Sequence, residues 1–344
     1  MCNALHWLPK RNLELIEPKE RTGVYGCPPA TSVKKPSSYS SLNPSLAFQL
    51  SGPHTWAAAL TPVLLAYIYS GITYSGNINF ILALILLAIS ILMQSAVNVL
   101  NDYFDYKKGT DSLENSSEDA FDAVMVYNHL NPRTVLLYAI SLLVLAAILG
   151  FYLVFITGWP LLILGLIGAL AVVLYSAGNT PISYLPVGEF VSGIVMGGLI
   201  TLASCYVLSG ILDPRVLLIS LPCIIGIGMI LFTNNTCDIE KDIPAHRKTI
   251  SVLLGRNTAV KTYRAMIAVW LLVIVAIVGI FYAPGMPFIL LLVLAAFPTL
   301  RALFSNPLNQ SSRDGAMAQI TTLNVLFTAF YCLALASSAF LVWI

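Results

Sequence analysis

Residues 98–111 have the sequence NVLNDYFDYKKGTD and directly follow a run of about twenty apolar residues, so they place acidic side chains at the end of a predicted membrane helix. Asn98, Asp102 and Asp105 are spaced i, i+4, i+7 and therefore share one face of that helix. A carboxylate at membrane depth costs roughly 2.5–3.5 kcal/mol. This stripe of acids therefore predicts a partner from outside the chain, and oxygen ligands of this kind favour Mg²⁺.

A second stripe of the same kind lies in residues 234–242, which have the sequence NNTCDIEKD and also follow an apolar run. Asn234, Asp238 and Asp242 are spaced i, i+4, i+8 on one helix face. Carboxylates that converge without a metal ion repel one another and resist ionisation. With Mg²⁺ they would form a clamp for a diphosphate. We therefore predict one shared metal site, with these ligands: Asp102, Asp105, Asp111, Asp238 and Asp242.

The composition excludes a soluble protein, because 58% of the 344 residues are hydrophobic and only 10% are charged, against about 25% charged in soluble domains. We predict an all-α, polytopic membrane bundle whose nine helices are each close to the ~20 residues that a crossing needs. Residues 1–45 are polar and predicted to be a disordered cytoplasmic tail, followed by a transmembrane domain at 46–344. A lipid bilayer is thus an expected partner, and nucleic acid is not. The nine apolar runs are 54–72, 79–100, 134–156, 160–176, 188–208, 215–234, 260–281, 286–304 and 318–343.

Counting crossings puts the polar tail and both acidic stripes on the same side of the membrane. In that arrangement seventeen of the eighteen Lys and Arg residues fall on this side, and only Arg215 falls on the other. Cytoplasmic loops carry the excess of positive charge in membrane proteins. The count therefore predicts that the active site and the N-terminus are cytoplasmic.

Cations and carboxamides near the stripes are candidates for binding the diphosphate, because Arg and Lys are its usual counter-charges. Each cation could instead be a plain positive-inside residue. Two further candidates lie between the fourth and fifth runs. Tyr175 would either line the site or belong to the interfacial aromatic belt, and Glu189 either serves the site or caps a helix. The predicted substrate-binding residues are Asn98, Asn101, Lys107, Lys108, Asn234, Asn235, Arg247, Lys248 and Glu189.

These motifs resemble those of the UbiA-type membrane prenyltransferases, and within them the 1,4-dihydroxy-2-naphthoate branch. The likeness covers about residues 50–343 and is carried by three patterns: Asn101-Asp102-x-x-Asp105-x-x-x-Gly109-x-Asp111, Asn234-Asn235-x-x-Asp238-x-x-x-Asp242 with Arg247-Lys248-Thr249, and Tyr175-x-x-Gly178 leading to Gly188-Glu189. The resemblance implies Mg²⁺-dependent transfer of an isoprenyl group from a prenyl diphosphate to an aromatic acceptor, in menaquinone biosynthesis at a bacterial plasma membrane. It implies that the catalytic residues are Asp102, Asp105, Asp238, Asp242 and Tyr175.

Two features depart from that branch. It usually opens the first helix with Arg-Pro, where this chain has Gly52-Pro53, and it carries Arg residues in the loop after the first motif, where residues 112–132 have four acids and no Lys or Arg. We therefore expect the diphosphate to depend more on metal and on the remaining cations, Lys248 above all. Prenylation of 4-hydroxybenzoate is the alternative within the family. A cation transporter is the alternative from another class, because acids within a membrane often mark ion paths.

Overall fold

The computed structural model describes residues 39–74, 78–109, 123–178 and 180–340 of the chain. Asp111 and residues 112–122 of the acidic loop lie outside the described residues, as do residues 1–38 of the tail. The division at residue 45 therefore stays a prediction. The remainder of the acidic loop, residues 123–132, contains a short apolar helix whose buried side chains pack against the helix of the first motif.

The described chain is built from α-helices, as predicted, with four short 3₁₀ turns and one π-helical segment, Gly193–Leu199. The α-helices are, in chain order, α1 Pro44–Leu50, α2 Trp56–Thr73, α3 Phe80–Lys108, α4 Val124–Tyr127, α5 Pro132–Thr157, α6 Trp159–Ser176, α7 Gly188–Ser192, α8 Ile200–Ser209, α9 Arg215–Ile219, α10 Leu221–Cys237, α11 Ile239–Asp242, α12 Ile250–Leu254, α13 Arg256–Phe281, α14 Met286–Ser305 and α15 Arg313–Phe340.

Eight helical segments of the described residues are long and apolar enough to cross a membrane, against the nine that we predicted. The predicted run without a helix of that length is the sixth, 215–234, most of which forms α10, a shorter apolar helix of 17 residues, about 25 Å long at 1.5 Å per residue. It begins late because Pro222 occupies its first turn. Proline has no N–H to continue a helix that comes from α9, although it suits a helix start.

Large side chains in the middle of the C-terminal helices form the main core of the bundle. Trp270 of α13 and Phe327 of α15 have ring centroids 4.5 Å apart, and both are almost fully buried. Tyr263 and Phe232 meet in the same cluster, with centroids 5.8 Å apart. This packing fixes α10, which carries the second motif, against α13 and α15.

Two glycines let the π-helical segment approach α10 closely. A Cβ on Gly197 would come within 2.5 Å of the backbone nitrogen of Ile224, and one on Gly193 within 2.4 Å of the carbonyl oxygen of Ile224. Small residues of this kind permit backbone contact between membrane helices. The contact places α7, just before the π-helical segment, beside the end of α10.

Candidate active site

One large cavity, of about 1160 Å³, extends from the two acidic motifs into the apolar middle of the bundle. Its deep walls are aliphatic, and they reach Leu86 of α3, which lies sixteen residues before Asp102. That separation corresponds to about 24 Å of helix at 1.5 Å per residue. The cavity thus joins a charged end to a long apolar chamber. Predicted site residues that line it are Asn98, Asn101, Asp102, Asp105, Tyr175, Asn234, Asn235, Asp238 and Arg247.

The acids of the first motif are buried at the end of α3. The side chains of Asp102 and Asp105 are each about 5% exposed. Asn101 donates from Nδ2 to Asp105 Oδ2 at 3.1 Å, and Asn101 Oδ1 lies 3.5 Å from the hydroxyl of Ser176. The helix ends at Gly109, whose φ of +73° is left-handed and suits a glycine C-cap. The motif is therefore held rigid up to its last turn.

Asn98, the first member of the stripe, holds the turn before α2 as well as lining the cavity. Its Nδ2 donates to the carbonyl oxygen of Ser51 at 3.0 Å and to Oγ1 of Thr55 at 2.9 Å. Gly52 lies between these partners with φ +59°, and a Cβ there would approach Asn98 Nδ2 to 2.4 Å. At position 52, where the resembling branch has arginine, this chain has a glycine whose backbone turn packs against the side chain of Asn98.

The second motif is buried as deeply as the first. Asp242, at the end of α11, is 1% exposed, and neither of its carboxylate oxygens forms a hydrogen bond among the described residues. Burial raises the pKa of Asp242 to about 7, against the lowering effect of Arg247. A buried carboxylate without hydrogen bonds is costly unless a cation faces it.

Arg247 connects the two motifs. Its Nη2 forms a short ion pair with Oδ2 of Asp105, and its Nη1 lies 3.5 Å from Oδ1 of Asp242. Burial lowers the pKa of Arg247, but the two carboxylates outweigh that effect and raise it. Lys248, the next residue, is exposed, and its backbone N–H donates to the carbonyl of Tyr184 at 2.9 Å. Of these two neighbouring cations, Arg247 lines the cavity, together with Lys241 of the second motif.

Arg313, which we did not predict, provides a second guanidinium at the start of α15. Its Nη2 and Nε donate to Asn234 Oδ1 at 2.6 and 3.1 Å, and its Nε lies 3.3 Å from Asp238 Oδ1. Arg313 also lines the cavity. Its position at the start of a helix on the side of the acids was the one sequence signal for it.

The remaining predicted residues lie around the rim or behind the wall. Lys107 and Lys108 are exposed, with their ammonium groups 5.3 Å from the Tyr103 ring centroid and 5.9 Å from that of Phe104, respectively. Glu189 is buried behind the cavity wall and accepts a 2.8 Å hydrogen bond from Asn235 Nδ2. Glu189 therefore acts on the cavity by orienting Asn235.

The donor set suits Mg²⁺, although its carboxylates are paired with arginine. Among the described residues, no three His, Cys, Asp or Glu side chains lie close enough together to hold a metal ion by themselves. Mg²⁺ is usually bound by one or two carboxylates together with substrate phosphates. The buried Asp242 oxygens without hydrogen bonds fit such a role. On binding of a diphosphate with its metal ion, the arginines would pair with the phosphate oxygens in place of the carboxylates.

The amino-acid sequence is similar to those of known membrane prenyltransferases. The sequence profile of the UbiA prenyltransferase family matches residues 59–326. The chain is 34% identical to 1,4-dihydroxy-2-naphthoate octaprenyltransferase of Bacillus subtilis (strain 168), over 68% of this chain and 73% of that protein. It is 27% identical to UbiA prenyltransferase domain-containing protein 1 of Danio rerio, over 81% of this chain and 80% of that protein.

A solved structure shares the fold. It is a UbiA homolog from Archaeoglobus fulgidus bound to GPP and Mg²⁺, with a TM-score of 0.61 and 18% identity, and the match covers 85% of this chain and 99% of that one. At this level of identity the likeness concerns the fold alone. It confirms the predicted arrangement of membrane helices.

Proposed function

Because this chain belongs to the UbiA prenyltransferase family and is a membrane prenyltransferase, we propose that it transfers an isoprenyl group from a prenyl diphosphate to 1,4-dihydroxy-2-naphthoate, with Mg²⁺. The observation that carries the proposal is the cavity that joins two buried acidic motifs to an apolar chamber. The 34% identity to a naphthoate octaprenyltransferase supports the choice of acceptor. The product would be a precursor of menaquinone, and the membrane a bacterial plasma membrane.

The reaction breaks the bond between the first prenyl carbon and the diphosphate oxygen, and the electron pair leaves with the diphosphate. A ring carbon of the acceptor then supplies the electron pair of the new carbon–carbon bond. Loss of the ring carboxylate as CO₂ returns electrons to the ring and restores its aromaticity. Arg247 and Arg313, which line the cavity, would bind the diphosphate, and the aliphatic walls would take the prenyl chain and exclude water.

Four aspartates would hold the metal: Asp102, Asp105, Asp238 and Asp242. When bound, Mg²⁺ supplies positive charge that stabilises the diphosphate as a leaving group. The same burial that removes these carboxylates from water makes them depend on a cation. Arg247 faces Asp105 and Asp242, and Arg313 faces Asp238.

The test is a transfer assay on membranes that contain the protein, with labelled prenyl diphosphate and two competing acceptors, naphthoate and 4-hydroxybenzoate. We expect prenylated naphthoate as the product, loss of turnover in EDTA, and recovery with Mg²⁺. Asp105→Ala and Asp238→Ala should abolish transfer, while Asp213→Asn, an acid on the opposite face, serves as the matched control. Preference for 4-hydroxybenzoate would contradict the acceptor, and full activity in EDTA would contradict the metal.

A further inference from the structure

Tyr184 lies between the two motifs and contacts both of them. It ends the 3₁₀ turn Ile182–Tyr184, and its hydroxyl donates to Asp105 Oδ1 at 3.2 Å. Its carbonyl oxygen accepts the backbone N–H of Lys248 at 2.9 Å. One residue therefore connects the end of α3 with the loop after the second motif.

The Tyr184 ring also carries two cations, one from each motif. Nζ of Lys108 lies 4.5 Å from the ring centroid, and Cζ of Arg247 lies 4.7 Å from it. The two positive groups are therefore no more than about 9 Å apart, the sum of those distances. Like charges at such a distance repel each other. An aromatic face attracts each cation and offsets that repulsion.

We propose that Tyr184 is a positioning residue that holds Lys108 and Arg247 as a matched pair of cations for the diphosphate of the substrate. The proposal rests on the proposed function and adds to it a residue that affects substrate binding only by positioning these two cations. A diphosphate spreads negative charge over several oxygens, so two cations on different elements can bind it together. Holding them on one ring before the substrate arrives reduces the ordering cost of binding.

The hydroxyl and the ring have separate tasks. The hydrogen bond to Asp105 orients the ring, while the ring face holds the cations. Tyr184→Phe should lose the hydrogen bond to Asp105 and keep the ring face that holds the cations. A series that weakens only the face therefore isolates the proposed role, and fluorination does so because it withdraws charge from the ring at nearly constant size.

The experiment introduces phenylalanine, then mono-, di- and trifluorophenylalanine, at position 184 of the full chain by nonsense suppression. We expect the KM for prenyl diphosphate to rise with each fluorine, by roughly fivefold or more across the series for two cations. The KM for the acceptor and kcat should change less than twofold. A second readout does not need turnover: the thermal stabilisation of the protein by inorganic pyrophosphate with Mg²⁺ should shrink in the same order.

Two further variants complete the test. Phe190→Leu removes a ring that is 62% exposed and close in sequence, and should leave both readouts unchanged. Lys108→Gln should raise the KM for prenyl diphosphate selectively, independently of how the variants at position 184 fold. A flat response to fluorination, or an unchanged KM in Lys108→Gln, would overturn the proposal. Absence of prenyl transfer by the unmodified protein would instead contradict the proposed function.

Discussion

The guanidinium of Arg247 forms an ion pair with Asp105, a residue 142 positions earlier in the chain, and the same group faces Asp242 at 3.5 Å. One arginine thus ties together two acidic motifs that come from different helices. Without it, the buried carboxylates of Asp105 and Asp242 would lose this counter-charge. The pairing explains how the motifs stay together when neither metal nor diphosphate is bound.

Arg247→Lys should lower activity on the order of tenfold to a hundredfold, because a lysine ammonium is a point charge that cannot reach two carboxylates as a planar guanidinium does. Steady-state kinetics in membranes with saturating acceptor would measure this. Arg133→Lys, at an exposed position at the start of α5, is the matched control. Equal rates for the two variants would mean that the bridge is dispensable.

Arg313→Gln should destabilise the protein as well as impair it, since removal of one partner of a buried ion pair costs about 3–5 kcal/mol. The variant would leave Asp238 and Asn234 without the guanidinium that contacts both. Thermal unfolding in detergent should show a lower Tm than that of Arg301→Gln, an exposed control near the end of α14. Addition of Mg²⁺ with pyrophosphate should restore part of the lost stability, and a Tm equal to that of the control would refute the role.

Gly52→Ala adds only one methyl group, but it should strongly reduce prenyl transfer. The added methyl group would strain a left-handed residue and collide with the Asn98 carboxamide. Gly210→Ala is the control, because Gly210 has φ +73° but no atom within 4 Å of the new Cβ. We expect both variants to lose stability by about 1 kcal/mol or more from backbone strain. Only Gly52→Ala should also lose prenyl transfer, and equal activities would show that the contact with Asn98 is unimportant.

Cysteine labelling tests the prediction that the motifs face the cytoplasm. We expect Gln310→Cys, in the exposed loop before α15, to react with an impermeant reagent only after permeabilisation. Leu212→Cys, which is 48% exposed at the opposite end, should react in intact cells. Both belong in a background with Cys2 and Cys27 changed to Ser, because the four other cysteines are buried. The reverse pattern would invert the topology.

The stability that the carboxylate of Asp213 gives to the protein, on the side away from the acidic motifs, should decrease at acid pH. Hydrogen bonds from Arg215, with a smaller contribution from Tyr74, lower the pKa of Asp213 to about 2, from an ordinary value of 3.8. A lowered folded-state pKa means that the stabilisation is complete above about pH 4 and is lost as the pH falls towards 2. The Tm advantage over Asp213→Asn should therefore be constant from pH 7 to 5 and shrink below pH 4. A constant difference down to pH 2.5 would exclude this linkage.

Local sequence patterns were enough to predict the membrane helices and the two acidic stripes. Apolar runs of about twenty residues and i, i+4 spacing are properties of short segments, so they do not depend on tertiary structure. The contacts of Arg313 and Tyr184 depend instead on how α15 and the turn before α7 pack against the rest of the bundle. Asn98 shows the same limit, since its second role arises only because the turn at Gly52 folds back onto α3.

The π-helical segment Gly193–Leu199 has a consequence for how this chain can change in evolution. A π-helical turn accommodates one residue more than an α-helical turn, and that residue rotates everything after it by about 100° around the axis. Before the segment, α7 presents its contacts to α10, and after it α8 presents its contacts to α2. Loss of a single codon here would rotate α7 and α8 relative to each other, so the contact between Glu189 and Asn235 and the packing of α8 on α2 could not both be kept. Insertions and deletions in this membrane segment should therefore be tolerated less well than substitutions.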